Sequence, residues 1–116
     1  TASDYAQFCL MILHNGTWNG AQILKANTVN NIRTNHTADL YNEEGAGFGL
    51  GFSVILTPEK MNRPGEVGQL QWGGYFSTHF FIDPALNVIG ITLTQQMPGG
   101  EDINTPFQSQ VYRALN

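Results

Sequence analysis

Cysteine occurs once, at Cys9, in a chain of 116 residues. A single thiol closes no internal disulfide, so cysteine usage says nothing of the redox compartment. Charge is also scarce: 12% of residues are charged, five basic against nine acidic, for a formal net charge of −4. No Lys/Arg cluster is present to neutralise phosphates, which argues against nucleic acid as a partner. No apolar run approaches the ~20 residues of a membrane-spanning helix. The three histidines, His14, His36 and His79, lie far apart without the short spacing of metal ligands, so neither a metal nor a cofactor is expected. No secretory signal is recognisable, and the compartment stays open.

What is present reads as one domain over residues 1–116, with 41% hydrophobic residues and enough length to bury a core. Thr1-Ala-Ser-Asp4 forms a capping box. A chain that opens on a helix cap is expected to be a piece of something longer. Residues 4–14 follow a helical stripe through Tyr5, Phe8, Cys9, Ile12 and Leu13, ended by Asn15-Gly16. A turn at Trp18-Asn19-Gly20 leads to a weaker helix over 28–35, with Val29 and Ile32 inward. After a loop over 36–46, glycine alternates with larger residues from Gly45 to Gly51. Read as one extended strand, this puts Phe48, Leu50, Phe52 and Val54 on one face and leaves the other bare, open to a backbone or ligand.

A surface loop over 57–65 precedes two strands, 66–72 and 75–83, joined through Gly73-Gly74. A last strand spans 87–95. Thr105 is the expected cap of a final helix whose apolar side is Phe107, Val111, Ala114 and Leu115. The order predicts an α+β fold: an antiparallel meander of about four strands, with the first and last helices on one face. Phe8, Ile12, Ile89, Ile91, Leu93, Phe107 and Val111 are expected to share one core.

Most short motifs fail on their own mechanics. The glycines at 45–51 lack the spacing and following helix of a phosphate loop. Ser53 sits mid-strand with Ile55 where a nucleophile elbow needs glycine. Asn15-Gly-Thr17 and Asn35-His-Thr37 match the glycosylation pattern, as chance allows in a chain rich in Asn and Thr. Glu43-Glu44 and Glu101-Asp102 are adjacent loop carboxylates, better read as solvated than as a catalytic pair, and Cys9 reads as an inert buried thiol. Trp72-Gly73-Gly74 is different. It is either a tight β connection with a core Trp or a strand whose backbone must lie against a ligand.

The opening TASDYAQF helix, the NGTWNGAQIL turn, the GFGLGF strand, and WGG followed by FFIDP and NVIGITLTQQ occur in that order. In this the chain resembles the C-terminal part of the serine β-lactamase, penicillin-binding protein and esterase superfamily, in its class C-like branch, whose bacterial members are often periplasmic or secreted. In that family a Lys-Thr-Gly triplet on an inner strand lines the active site, and related esterases carry Trp-Gly-Gly or His-x-Gly there. The resemblance thus implies that Trp72, Gly73, Gly74 and Tyr75 contact substrate, with the Tyr75 backbone N–H as one oxyanion donor.

The family nucleophile lies in Ser-x-x-Lys, and none of Ser3, Ser53, Ser77 and Ser109 has Lys three residues on. The Tyr-x-Asn element is missing too, and YFST after the glycines is bulkier than in related esterases. No catalytic side chain is therefore expected in this chain. A small ester or β-lactam-like substrate would bind only with the rest of a hydrolase present. The alternative is a non-enzymatic, self-associating or ligand-binding module, paired with a second copy through the uncharged strand 87–95.

Overall fold

The computed structural model describes residues 1–41 and 43–115. Helix α1, Ala2–Leu13, starts as its capping box dictates: the Thr1 hydroxyl accepts from the Asp4 amide at 3.2 Å. It stops where Asn15 and Gly16 turn to φ 55° and 92°. A two-residue hairpin, β1 Thr17–Trp18 with β2 Ala21–Gln22, follows. It leads to α2, Ala26–Arg33, two residues earlier than the expected helix. Arg33 ties the helices together, donating to Asn15 Oδ1 at 3.0 Å and to the Ile12 and Leu13 carbonyls that end α1.

The main sheet is an antiparallel meander of five strands in sequence order. They are β3 Ala46–Phe48, β4 Ser53–Ile55, β5 Leu70–Gly73, β6 His79–Asp83 and β7 Val88–Thr92. A 3-10 turn, Pro58–Lys60, lies between β4 and β5, and α3, Asn104–Leu115, closes the chain. The α+β class and the meander are as expected. The fifth strand is not, and it comes from the glycine-rich stretch. Instead of one extended strand, the chain doubles back over 49–52, with Gly51 at φ 90° and Leu50 more than half exposed.

The bare glycine face admits the chain itself. A Cβ on Gly47 would stand 2.3 Å from the Asn35 side chain, and one on Gly49 would stand 2.1 Å from the Ile32 carbonyl oxygen. The segment leaving α2 presses there, and Asn35 Oδ1 accepts from the Phe48 amide at 3.1 Å.

The helices flank the sheet on opposite faces, which corrects the expectation of a shared one. Side chains alternate along β6. Phe80 and Ile82 turn toward α1, joining Cys9, Met11, Ile12, Val29, Phe52, Val54 and Leu70 in the main core. Phe81 turns the other way, with its ring centroid 5.8 Å from Tyr112 and 6.5 Å from Phe107 of α3. Phe107 therefore lies across the sheet from Ile12, and Leu93 is 55% exposed, outside the core.

The buried side of α3 is also shifted from the apolar stripe. Gln108 and Tyr112 are inward, while Ala114 and Leu115 are exposed. The reason is the surface beneath them, which presents Gln69, Gln71, His79 and Asp83. A helix that met these with aliphatic side chains would leave buried polar groups unsatisfied. Its cap is Asp102, whose Oδ1 accepts from the Asn104 and Thr105 amides at 3.0 and 3.2 Å, in place of the expected Thr105. Among the described residues no helix is long and apolar enough to cross a membrane.

Candidate functional site

The expected site residues stand at the end of β5 and in the loop after it. Trp72 pairs with Phe80 and Gly73 with His79, and residues 74–78 turn the chain between strands. In that loop the Gly74 amide donates to the Thr78 carbonyl at 3.0 Å and the Ser77 amide to the Gly74 carbonyl at 3.1 Å. Both glycines are explained in part by this turn. A Cβ on Gly73 would lie 2.8 Å from the Thr78 carbonyl oxygen, and one on Gly74 would lie 2.5 Å from Thr78 Oγ1. The Trp72 ring meets Phe48 edge-on at 4.9 Å and remains 45% exposed, so it is no core Trp.

β5 outruns its neighbour. The ladder between β4 and β5 ends with Ser53 opposite Gln71, leaving Trp72 and Gly73 beyond it. Backbone groups alternate sides along a strand. The Gln69 carbonyl accepts from Ile55 on the β4 side, and the Gly74 amide donates toward β6. By the same alternation Gly73 turns its N–H and C=O past the end of β4. Among the described residues nothing accepts from the Tyr75 amide, and the Tyr75 side chain is 70% exposed.

Two hollows flank this overhang. One, of about 210 Å³, is apolar, with Tyr5, Trp72, Phe80, Ile91 and Leu93 in its wall. The other, of about 260 Å³, is polar, walled by Glu43, Ser53, Arg63, Gln71 and His79. Behind the polar hollow runs a buried hydrogen-bond chain. Tyr112 Oη reaches Gln69 Oε1 at 2.6 Å and the Asp83 carboxylate. Gln108 Nε2 donates to the Pro64 carbonyl at 2.5 Å, which leaves its Oε1 facing His79 Nε2 at 3.1 Å.

An amide oxygen only accepts, so His79 carries its hydrogen on Nε2. Burial lowers the His79 pKa, opposed by the Gln108 bond and reinforced by the neighbouring Arg63 cation. Burial likewise raises the Tyr112 phenol, with Asp83 adding to it.

The four serines are scattered. Ser3 is exposed on α1, Ser53 is buried in β4, Ser77 donates to the Gln96 carbonyl at 3.5 Å, and Ser109 lies on α3. Among the described residues none of them hydrogen-bonds to a lysine, and Lys60 pairs with Glu44 at 3.0 Å. Of the histidines, His36 bonds the Asn31 carbonyl at 2.7 Å, and only His79 reaches the hollows. Arg63 and Gln108 escaped the sequence reading, and His79 was weighed there only as a metal ligand. The polar face had a signal in Gln69 and Gln71 either side of Leu70, whereas Arg63 and Gln108 had none.

Residues 1–112 match the profile of the family described as Beta-lactamase. The chain belongs to the beta-lactamase family. Two curated relatives from Mycobacterium tuberculosis are each 33% identical: "Uncharacterized protein MT1414" (strain CDC 1551 / Oshkosh) and "Protein Rv1367c" (strain H37Rv). Each match covers 84% of this chain but 27% of the relative, so the chain spans about a quarter of their length.

Among solved structures, EstCE1, "a hydrolase with promiscuous acyltransferase activity", superposes with a TM-score of 0.75 at 26% identity, over 95% of this chain and 28% of that one. A LovD6 mutant of simvastatin synthase from Aspergillus terreus superposes with a TM-score of 0.77 over 99% of this chain and 33% of that one. At 17% identity it shows the shared fold alone. The α+β arrangement is thus a partial β-lactamase-like fold.

Proposed function

We propose that this chain is the C-terminal portion of a β-lactamase-like serine hydrolase, acting on an ester or a β-lactam-like amide. Trp72, Gly73 and Gly74 form the strand along which substrate lies, and the Tyr75 amide donates to the oxyanion. The observation that carries this reading is the overhang of β5, where the Gly73 backbone passes the end of β4 and the Tyr75 amide has no acceptor among the described residues. A fixed amide aimed at developing negative charge is among the larger contributions to acyl-transfer catalysis. EstCE1, a hydrolase of the same fold, adds support.

The attacking hydroxyl comes from outside this chain, since no serine here has an activating lysine. On its own the chain is therefore silent toward a chromogenic ester, and activity appears when the remainder of the hydrolase is supplied. In that assembly Tyr75→Pro, which removes the amide hydrogen, lowers kcat about 10²–10³-fold. Tyr75→Phe retains the amide and most of the rate. Hydrolysis by the isolated chain that Ser77→Ala abolishes would overturn the assignment.

The sheet edges favour a second reading, a module that pairs with its own copy. The β3 edge is occupied: the His36 amide donates to the Phe48 carbonyl at 2.8 Å, and Asn35 takes the Phe48 amide. No strand among the described residues pairs with the far side of β7, which has neither charge nor proline to blunt it.

A further inference from the structure

We infer that the polar hollow between β4, β5 and the segment carrying Arg63 is a binding site for a small carboxylate, held by Arg63 and Gln71. Arg63 has no ion-pair partner among the described residues. Its Nη1 lies 3.3 and 3.4 Å from the two ring nitrogens of His79, a ring that carries no negative charge and so leaves the cation unneutralised. Gln71, 6% exposed, lines the hollow; its Oε1 accepts from Gln69 Nε2 at 3.4 Å, and its own amide hydrogens have no acceptor among the described residues. Ser53, 1% exposed in the same wall, has an Oγ with no hydrogen-bond partner. The Tyr41 phenol lies near that Oγ, outside hydrogen-bond geometry. Inside the rim, Arg63, Gln71 and Ser53 thus offer donors and one cation with too few acceptors, the complement of an acceptor-only group.

The charges nearby set which anion. Glu43 stands exposed at the rim, and Asp102 lies within the field of Arg63 while capping α3. Two carboxylates close by oppose a dianion. A singly charged planar carboxylate matches the guanidinium fork at the least repulsion. The cavity, about 260 Å³, lies just below the usual range for drug-sized ligands and suits a small acid. Gly73, without a side chain, keeps the side toward the β5 overhang open. These groups all belong to this chain, so the site stands whether or not the overhang serves a nucleophile supplied elsewhere.

The test is titration of the chain with acetate, benzoate and inorganic phosphate at constant ionic strength, followed by NMR at the Gln71 side-chain amide and the Trp72 indole N–H. Acetate and benzoate are expected to give saturable shifts at both groups, with phosphate weaker. Arg63→Gln lowers benzoate affinity roughly tenfold or more, the scale of one charge-assisted hydrogen bond. Arg63→Lys, which keeps the charge and loses the fork, binds several-fold more weakly. Glu43→Gln, an exposed change that spares the core, tightens binding and remains decisive should the Arg63 variants misfold. Shifts that never saturate, a preference for phosphate, or affinity indifferent to both Arg63 and Glu43 overturn the site.

Discussion

Tyr112 brings one hydroxyl hydrogen to two acceptors, the Asp83 carboxylate and Gln69 Oε1. Tyr112→Phe removes that hydroxyl from both and is expected to cost about 1–3 kcal/mol, read from the denaturant midpoint. His79 sets an acid limit on the same layer. Its folded pKa is depressed, so its contribution to stability is fully present above the ordinary imidazole value of 6.5 and is lost as pH falls below it toward the folded value. A melting temperature that is flat above that pH and drops below it, with a shallower drop in His79→Gln, is the expected profile. An equal drop in both proteins would place the acid sensitivity elsewhere. Cys9 was legible as inert from its helix position alone, and burial raises its thiol to about 11. Alkylating reagents at neutral pH should leave it unmodified until the chain unfolds.

Among the elements, the start and stop of α1 and the hairpin were readable because they rest on local chemistry: the Thr1–Asp4 box, the Asn15-Gly16 stop, the glycines beside Trp72. The face chosen by α3 was not. Counting apolar residues on a helical wheel assumes an apolar partner, and the sheet beneath α3 is polar at Gln69, Gln71, His79 and Asp83. The doubling back at 49–52 was hidden for a similar reason. Strict alternation reads as a strand, whereas the glycines answer to the end of α2. Gly49→Ala would press on the Ile32 carbonyl, main chain that cannot swing aside, and should destabilise by about 1–3 kcal/mol. Fully buried Ile82 should cost about 2–5 kcal/mol when cut to Ala. Half-buried Ile91 on the edge strand should cost less; equal losses would contradict the layering. Of the site, Trp72-Gly73-Gly74 was visible as a motif, while Arg63 meets His79 only through tertiary folding, which spacing along the chain does not encode.

For the whole molecule, the open side of β7 predicts association at high concentration, seen by light scattering as mass rising toward a dimer. Leu93→Lys, a charge at the end of that strand where the side chain is 55% exposed, should hold the protein monomeric. A strict monomer for the unaltered chain would remove the basis of the second reading. The two-sided placement of the helices has a different consequence, in the order of folding. Every strand of the main sheet pairs with its sequence neighbour, so the meander and its α1 face can close before α3 docks. The face left waiting for α3 holds Phe81 and Ile55 among glutamines, His79 and Asp83. Water can wet such a surface. A chain whose α3 has not yet docked therefore offers chaperones and other unfinished chains a partly hydrated sheet in place of a greasy one.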